Sequence, residues 1–396
     1  MQQADDFAAL VRSDEELASA LAEKNSSDAF IAEVTARASG LPLPAESVAA
    51  LRQSDPIGVA RWVAPSWAGS ALPPRHWLPV AVASDREKIV VDWAWLGPEP
   101  LRSSFYESEI RRALALPFNR VFRYRTSFGD LVAQIDKTDH LDPDGFIFHM
   151  SRCGSTLAAQ MVAATPYSIV ISEAAPIDTV LQLCRSSDPD LAAQVLRAII
   201  TAFGRKRAGS ERRYVVKLDA WHTLALPLFR RAFPDVPWVF LYRDPVEVMV
   251  SQMRQRGMQL MTQYLPAAFY GIDASAVASE EDYCARVLAT VCRAAIEYRG
   301  LGGGRFVNYR ELPDAVFTAI LPHFGICCSE AEIAQMRNTA RRDAKSPGSP
   351  FTGDADAKQT AATEAVRQAA EDHLGGVYAT LEKLSKAGGL RAAQAG

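Results

Sequence analysis

The residues able to do chemistry in this chain cluster where apolar runs stop at small and cationic residues. The run Phe146-Ile147-Phe148-His149-Met150 ends in Ser151-Arg152-Cys153-Gly154-Ser155-Thr156, and a helix-like spacing begins at Leu157, Met161 and Val162. That order reads strand, tight loop, helix N-terminus. A helix N-terminus presents unpaired backbone N–H groups and a partial positive charge, so it suits a phosphate or sulfate. Arg152 adds a cation of fixed fork geometry, and Ser155 and Thr156 add hydroxyl donors. The same logic recurs at Leu241-Tyr242-Arg243-Asp244-Pro245: an apolar run, an arginine, a good N-cap and a proline suited to the first helical turn. Arg243 and Ser251, on the helix that follows, are spaced to grip one phosphate from two sides. The other role open to Arg243 is an ion pair with Asp244 or Glu247.

The loop is not a nucleotide-triphosphatase motif. Aligning G-x-x-x-x-G-K-[ST] on Gly154 puts Ser155 where the Lys belongs and His149 where the first Gly belongs, which disfavours ATP or GTP hydrolysis.

Alternating elements must position these residues. Strands are predicted at 146–150, 168–172, 213–218, 237–242 and 305–309. Helices are predicted at 155–165, 176–186, 189–203, 222–232, 245–256 and 281–299. Near-continuous apolar strands imply a sheet covered on both faces. The fold class is α/β: a P-loop-type doubly wound parallel sheet flanked by helices over 141–390, whose ligands bind beyond the carboxyl ends of the strands. Residues 1–140 predict a smaller α+β accessory region. It starts helical and acidic and continues through a Trp/Pro-rich segment at 54–79. A β-hairpin (Val80–Ser84 with Ile89–Leu96) and helices near 104–115 and 128–136 complete it. Trp62, Trp67, Trp77, Trp93 and Trp95 suit either a substrate pocket or an accessory core. The tail beyond residue 388 is expected to fray.

Composition narrows the class. With 396 residues, 48% hydrophobic and 22% charged, the chain reads as an ordinary globular protein. A net charge of -3 gives no general pull toward nucleic acid or membrane, and no apolar run reaches membrane-span length. No signal peptide is evident. The six cysteines lack metal spacing, Cys327 and Cys328 read as buried small hydrophobes, and a reducing cytoplasm is the simple reading. Between 201 and 256 eleven bases face five acids, a local excess of +6. Arg205-Lys206-Arg207 reads as a solvated loop within it, while Lys217 and Arg243 sit near strand ends.

Three stretches carry a family resemblance. Ser151-Arg152-Cys153-Gly154-Ser155-Thr156 resembles the 5′-phosphosulfate loop of sulfotransferases that use 3′-phosphoadenosine 5′-phosphosulfate (PAPS). Arg243-Asp244-Pro245 with Ser251 resembles their 3′-phosphate motif, and Val307-Asn308-Tyr309-Arg310-Glu311-Leu312 resembles the "Tyr-Glu-x-Leu" stretch downstream. The resemblance covers roughly 145–358. Departures are Arg152 where many members carry Lys, Asp244 where Asn is usual, and Lys217-Leu218-Asp219 where the family has Lys-Thr-His. It implies that PAPS is the donor and adenosine 3′,5′-bisphosphate the product, with no metal. It also implies that Tyr309 contacts the nucleotide; Arg342 and Lys345, from a basic C-terminal segment, suit either 3′-phosphate contacts or surface charges. The expected activity is sulfuryl transfer to a hydroxyl or amine of a small-molecule acceptor. The competing readings are a kinase-like phosphotransferase and an inactive nucleotide-binding regulator.

Such a transfer resembles phosphoryl transfer, which needs positioning and cations aimed at equatorial and leaving oxygens. Arg152 and Lys217 fit that task. A base is also needed, and the candidates are, in order, Glu173, His222 and Asp219; Glu173 and Asp219 are equally suited to N-capping. Met258, Met261, Tyr264, Phe269 and Tyr270 are suited either to wall the acceptor pocket or to pack.

Overall fold

The computed structural model describes residues 2–37, 43, 45–52, 64–65, 67–85, 88–344 and 354–394. The chain starts with helices α1 (Gln2–Ser13), α2 (Glu15–Ala22), α3 (Ser27–Arg37) and α4 (Ala45–Arg52). Strands β1 (Trp67–Ala68), β2 (Trp77–Asp85) and β3 (Lys88–Trp95) follow, then α5 (Tyr106–Ala115), α6 (Pro117–Phe122), β4 (Tyr124–Ser127) and α7 (Phe128–Gln134). Next come β5 (Gly145–His149), α8 (Ser155–Ala163), β6 (Ser168–Ser172), α9 (Ala175–Leu183), α10 (Pro189–Phe203) and β7 (Arg213–Lys217). After a 3-10 helix (Ala220–Ala225) come α11 (Leu226–Ala232), β8 (Trp238–Tyr242), α12 (Pro245–Arg254), α13 (Glu280–Tyr298) and β9 (Gly304–Asn308). The chain closes with α14 (Leu321–His323), α15 (Glu330–Ala340), α16 (Ala355–Ala361) and α17 (Glu364–Gln394). Two compact units result: 1–142 with 173–212, and 143–172 with 213–396. Helices α9 and α10 thus belong with the N-terminal elements. Among the described residues no helix is long and apolar enough to cross a membrane.

The first unit holds a sheet of order β1-β4-β3-β2. Strands β2 and β3 form the antiparallel hairpin the alternating pattern predicts, with Trp77 opposite Trp95. The tryptophans make core rather than pocket. Trp77 and Trp93 are fully buried, and Trp77, Trp95 and Phe118 pack ring against ring at 5.8–6.2 Å. Trp67 donates its indole N–H to the Val121 carbonyl at 2.8 Å, and Trp62 lies outside the described residues. Asn119 survives at zero exposure because its amide is satisfied: it donates to the Trp95 and Ala113 carbonyls and accepts from Trp95 N.

The string Arg205-Lys206-Arg207 corrects the sequence reading. Arg205 and Arg207 are 4% and 3% exposed, not solvated. Arg205 donates to the Pro73 and Trp77 carbonyls, and Arg207 to the Gly97 carbonyl. Their guanidiniums cap backbone groups that would otherwise be buried without a partner.

The second unit holds a parallel sheet of order β6-β7-β5-β8-β9, helices packed around it. Every residue of β5, β6, β7 and β8 is buried, which is why they read as apolar runs. Phe146 and Phe148 of β5 point to one face and meet Phe229 of α11 at 5.2 and 5.4 Å. The chain runs from β5 out to β6 and back to β7 on one flank, then to β8 and β9 on the other. That reversal opens a crevice beyond the carboxyl ends of the central strands.

Two further expectations are corrected. Helix α17 continues through Gly388-Gly389 to Gln394, because an established helix gains one hydrogen bond per added residue. It is fixed by Glu382, which accepts from the Tyr242 hydroxyl at 2.8 Å and from Asn308 Nδ2 at 2.5 Å. Cys327 is exposed, in the bend before α15 where its carbonyl accepts from Arg213.

Arg213 also pairs with Glu332 at 2.7 Å, both side chains 11% exposed. The hydrogen bond from Arg213 outweighs burial and holds the Glu332 carboxyl down at about 2. A depressed carboxyl stabilises the fold above its unfolded value, and that stability is lost as pH falls toward the folded value. Glu332→Gln is therefore expected to cost about 1–2 kcal/mol at pH 7. Urea titrations in steps from pH 5 toward about 3 should show the gap to wild type closing; a gap independent of pH would exclude the pair as its source.

Candidate functional site

The loop after β5 is held in a conformation that few side chains adopt. Ser151 and Arg152 have φ of 79° and 50°, and Gly154, the N-cap of α8, has φ 83°. His149 explains how the first two are kept there. Its ring is 4% exposed, accepts from Ser151 N through Nδ1 at 3.0 Å and donates from Nε2 to the Leu218 carbonyl at 2.8 Å. Both nitrogens are used, so this is the Nε2–H tautomer. On the other flank, Met150 N and Cys153 Sγ both donate to the Leu241 carbonyl. Gln252 of α12 donates to Ser151 Oγ at 2.9 Å and accepts from Gly257 N, and Arg152 donates to the Gln255 carbonyl at 2.6 Å. Ser155 and Thr156 open α8 at 5% and 7% exposure. The Cys153 thiol is spent on that bond, and burial pushes it up to about 12, so it is no nucleophile.

Arg243 follows β8 and is 4% exposed. Its guanidinium binds Glu247 at 2.5 Å and Asp354 at 2.8 Å, and stacks on the Tyr309 ring at 3.9 Å. Of the ion pairs expected, Glu247 is the one made; Asp244 instead caps α12 and accepts from Gln359. Ser251 is half-buried, its hydroxyl bonded back to the Glu247 carbonyl at 3.0 Å. Tyr309 joins this place to the loop. A Cβ on Gly154 would come within 2.8 Å of the Tyr309 ring and 2.7 Å of Leu312 Cδ1. The loop, the Arg243 turn and the Tyr309–Leu312 turn therefore meet around one aromatic ring.

The remaining candidates are placed as follows. Lys217 ends β7 at 1% exposure, between Ile147 of β5 and Ser172 of β6, and its charge acts on Cys153. Asp219 and His222 bind each other's backbone in a capping box at the start of the 3-10 helix. Glu173 does not cap α9, whose N-cap is Ala174; it follows β6 directly with φ 52°. Ser151, Arg152 and Glu173 are the non-glycine residues of positive φ among those described, and such strain gathers at functional sites. Arg342 is exposed after α15 and makes no side-chain bond to Arg243, Ser251 or Tyr309. Lys345 lies outside the described residues.

A cavity of about 560 Å³ opens beyond α12, lined by Met253, Leu260, Met261 and Tyr283, with Arg256 and Glu280 paired at its rim. The Tyr283 hydroxyl is buried without a hydrogen-bond partner. Of the residues expected to wall a pocket, Met261 does so. Tyr270 packs, and Met258 and Tyr264 are exposed.

No family profile matches the chain, and no curated protein is similar to it in sequence. Comparison of structures, by contrast, finds likenesses. The chain is similar to the sulfotransferase domain from the curacin biosynthetic pathway, at 13% identity, 59% of this chain, 98% of that one and TM-score 0.38. The sulfotransferase domain of the Synechococcus olefin synthase gives 17%, 59%, 95% and 0.35. A mouse sulfotransferase complexed with PAP gives 14%, 67%, 92% and 0.36.

Gly154→Ala combines a left-handed backbone with a clash against Tyr309 and Leu312. It is expected to lower unfolding stability by about 1–3 kcal/mol. Urea denaturation measures this, and an unchanged midpoint would mean that the loop accepts a side chain there.

Proposed function

We propose that this chain is a PAPS-dependent sulfotransferase. It moves a sulfuryl group to a hydroxyl or amine of a small-molecule acceptor and leaves adenosine 3′,5′-bisphosphate. The observation that carries the reading is the meeting of loop, Arg243 and Tyr309 around one ring, at the edge where a doubly wound sheet binds ligands. A donor with a phosphosulfate at one end and a phosphate at the other needs two anion places on one rigid frame. The loop's fixed amides with Arg152, Ser155 and Thr156 suit the first, and Arg243 with Ser251 the second. The bound nucleotide supplies the sulfuryl group. Arg152 and Lys217 stand to neutralise charge on its oxygens, Lys217 from a fully buried strand end where a cation acts strongly.

For the base, Glu173 is preferred. Asp219 and His222 spend polar atoms on their capping box, whereas Glu173 follows β6 directly on a strained, left-handed backbone of the kind that gathers at functional sites. The cavity beside α12 suits the acceptor, with an apolar wall of Met253, Leu260 and Met261 and one waiting hydroxyl. Six free cysteines fit a cytoplasmic enzyme.

Adenosine 3′,5′-bisphosphate should raise the melting temperature without Mg²⁺, reflecting a stabilisation of about 2.7 kcal/mol at a hundredfold excess over Kd. Arg243→Met should remove most of that shift. A larger response to ATP with Mg²⁺ would favour a phosphotransferase and sink this reading. In turnover with an acceptor panel, Glu173→Ala should abolish transfer and leave the bisphosphate shift intact. Undiminished turnover in Glu173→Ala, His222→Ala and Asp219→Ala alike would exclude this base chemistry.

A further inference from the structure

The polar groups around Arg243 are arranged as a bridged anion site. Asp354, just before α16, places Oδ1 on the Arg243 guanidinium at 2.8 Å and Oδ2 on the Lys358 ammonium at 2.6 Å. One carboxylate thus spans two cations, an oxygen to each. Both cations are deeply placed, Arg243 at 4% and Lys358 at 7% exposure, whereas the Asp354 side chain is 46% exposed. Glu247, 7% exposed, grips Arg243 from the helix side and fixes its direction. A second tie is independent of Asp354: Gln359 donates to Asp244 at 3.0 Å and pins α16 to the start of α12. Lys358 is therefore held in place whether or not Asp354 stays.

The charges decide what the site can take. Arg243 and Lys358 against Glu247 and Asp354 sum to zero. With Asp354 turned out to solvent, the remaining three sum to +1, and two buried cations each lose the carboxylate oxygen they now bind. A phosphate monoester dianion has the same two-oxygen bite as a carboxylate and one more negative charge. Charge-assisted bonds to it are the stronger kind.

We propose that Arg243 and Lys358 form a two-cation clamp for the 3′-phosphate of the nucleotide, and that Asp354 is an internal carboxylate which that phosphate displaces. This rests on the nucleotide reading above. Lys358 is then a binding residue, and Asp354 sets the threshold for entry: an anion with less charge does not outcompete it. The site thereby discriminates nucleotides that carry a 3′-phosphate from those that do not.

The test is calorimetric titration of the full chain with adenosine 3′,5′-bisphosphate and, separately, with adenosine 5′-monophosphate. Asp354→Asn removes the competing charge and keeps the shape. It should bind the bisphosphate about fivefold more tightly, as expected for losing a half-exposed ion pair, with the monophosphate unchanged. Lys358→Gln should weaken the bisphosphate about tenfold and spare the monophosphate. Asp354→Asn binding the bisphosphate no more tightly than wild type overturns the proposal. So does any change shared equally by the two nucleotides. Folding of each variant is checked by its near-ultraviolet dichroism; Asp354→Asn alone decides if Lys358→Gln does not fold. A wild-type chain that binds the monophosphate as well as the bisphosphate also overturns the clamp, and leaves a nucleotide site standing. One that binds neither removes the nucleotide reading itself.

Discussion

His149 is the fastening on which the loop after β5 depends. Left-handed backbone at a non-glycine residue costs about 1–3 kcal/mol, so two in succession relax unless something over-determines them. At Ser151 and Arg152 the His149 ring does this from below, one nitrogen on the loop and the other on the chain leaving β7. The Leu241 carbonyl, Gln252 and the Gln255 carbonyl complete the set from the β8 side. A loop fixed this way holds its conformation in advance, so a ligand meeting it would have little to order.

The cations at the same edge follow a second constraint. A buried arginine needs partners for its donors, and removing its charge from water without them costs several kcal/mol. Arg243 satisfies this with Glu247, Asp354 and the face of Tyr309. Each partner also does geometric work. Glu247 fixes the direction of the guanidinium, and Tyr309 fills the space that a side chain on Gly154 would need. Electrostatics and packing are thus shared by a few residues, and none can be changed for one purpose only.

Much of this was legible in the sequence. Fully buried parallel strands are apolar runs bounded by turn residues, so the strands of the second unit fall within a residue of their predicted limits. The loop and the Arg243 turn were visible as cations at strand ends. What escaped depends on distant partners. His149 reads as a failed glycine of another motif, and only the fold brings the Leu218 carbonyl to it. Arg205 and Arg207 read as solvated because the carbonyls they bind are more than a hundred residues away in sequence. The basic excess at 201–256 likewise dissolves. Arg213 goes to Glu332, Arg230 to the Pro234 and Val236 carbonyls, and Arg205 and Arg207 to carbonyls within the first unit. Helix α17 left a signal that went unread, the stripe Val366, Ala370, Leu374 and Leu381, masked by the glycine pairs along it.

The path of the chain carries a consequence of its own. It passes between the units three times, at 142–143, 172–173 and 212–213. Strands β6 and β7 of the parallel sheet are therefore neighbours in space but joined through α9 and α10, which fold with the N-terminal elements. Those helices bury Leu196, Ile199 and Phe203 there, an apolar face with nowhere else to go. Neither unit is a contiguous module that recombination could lift out whole. A gene truncated at residue 143 would leave the parallel sheet trailing a sticky, uncovered pair of helices. The two units are bound to be inherited and synthesised together.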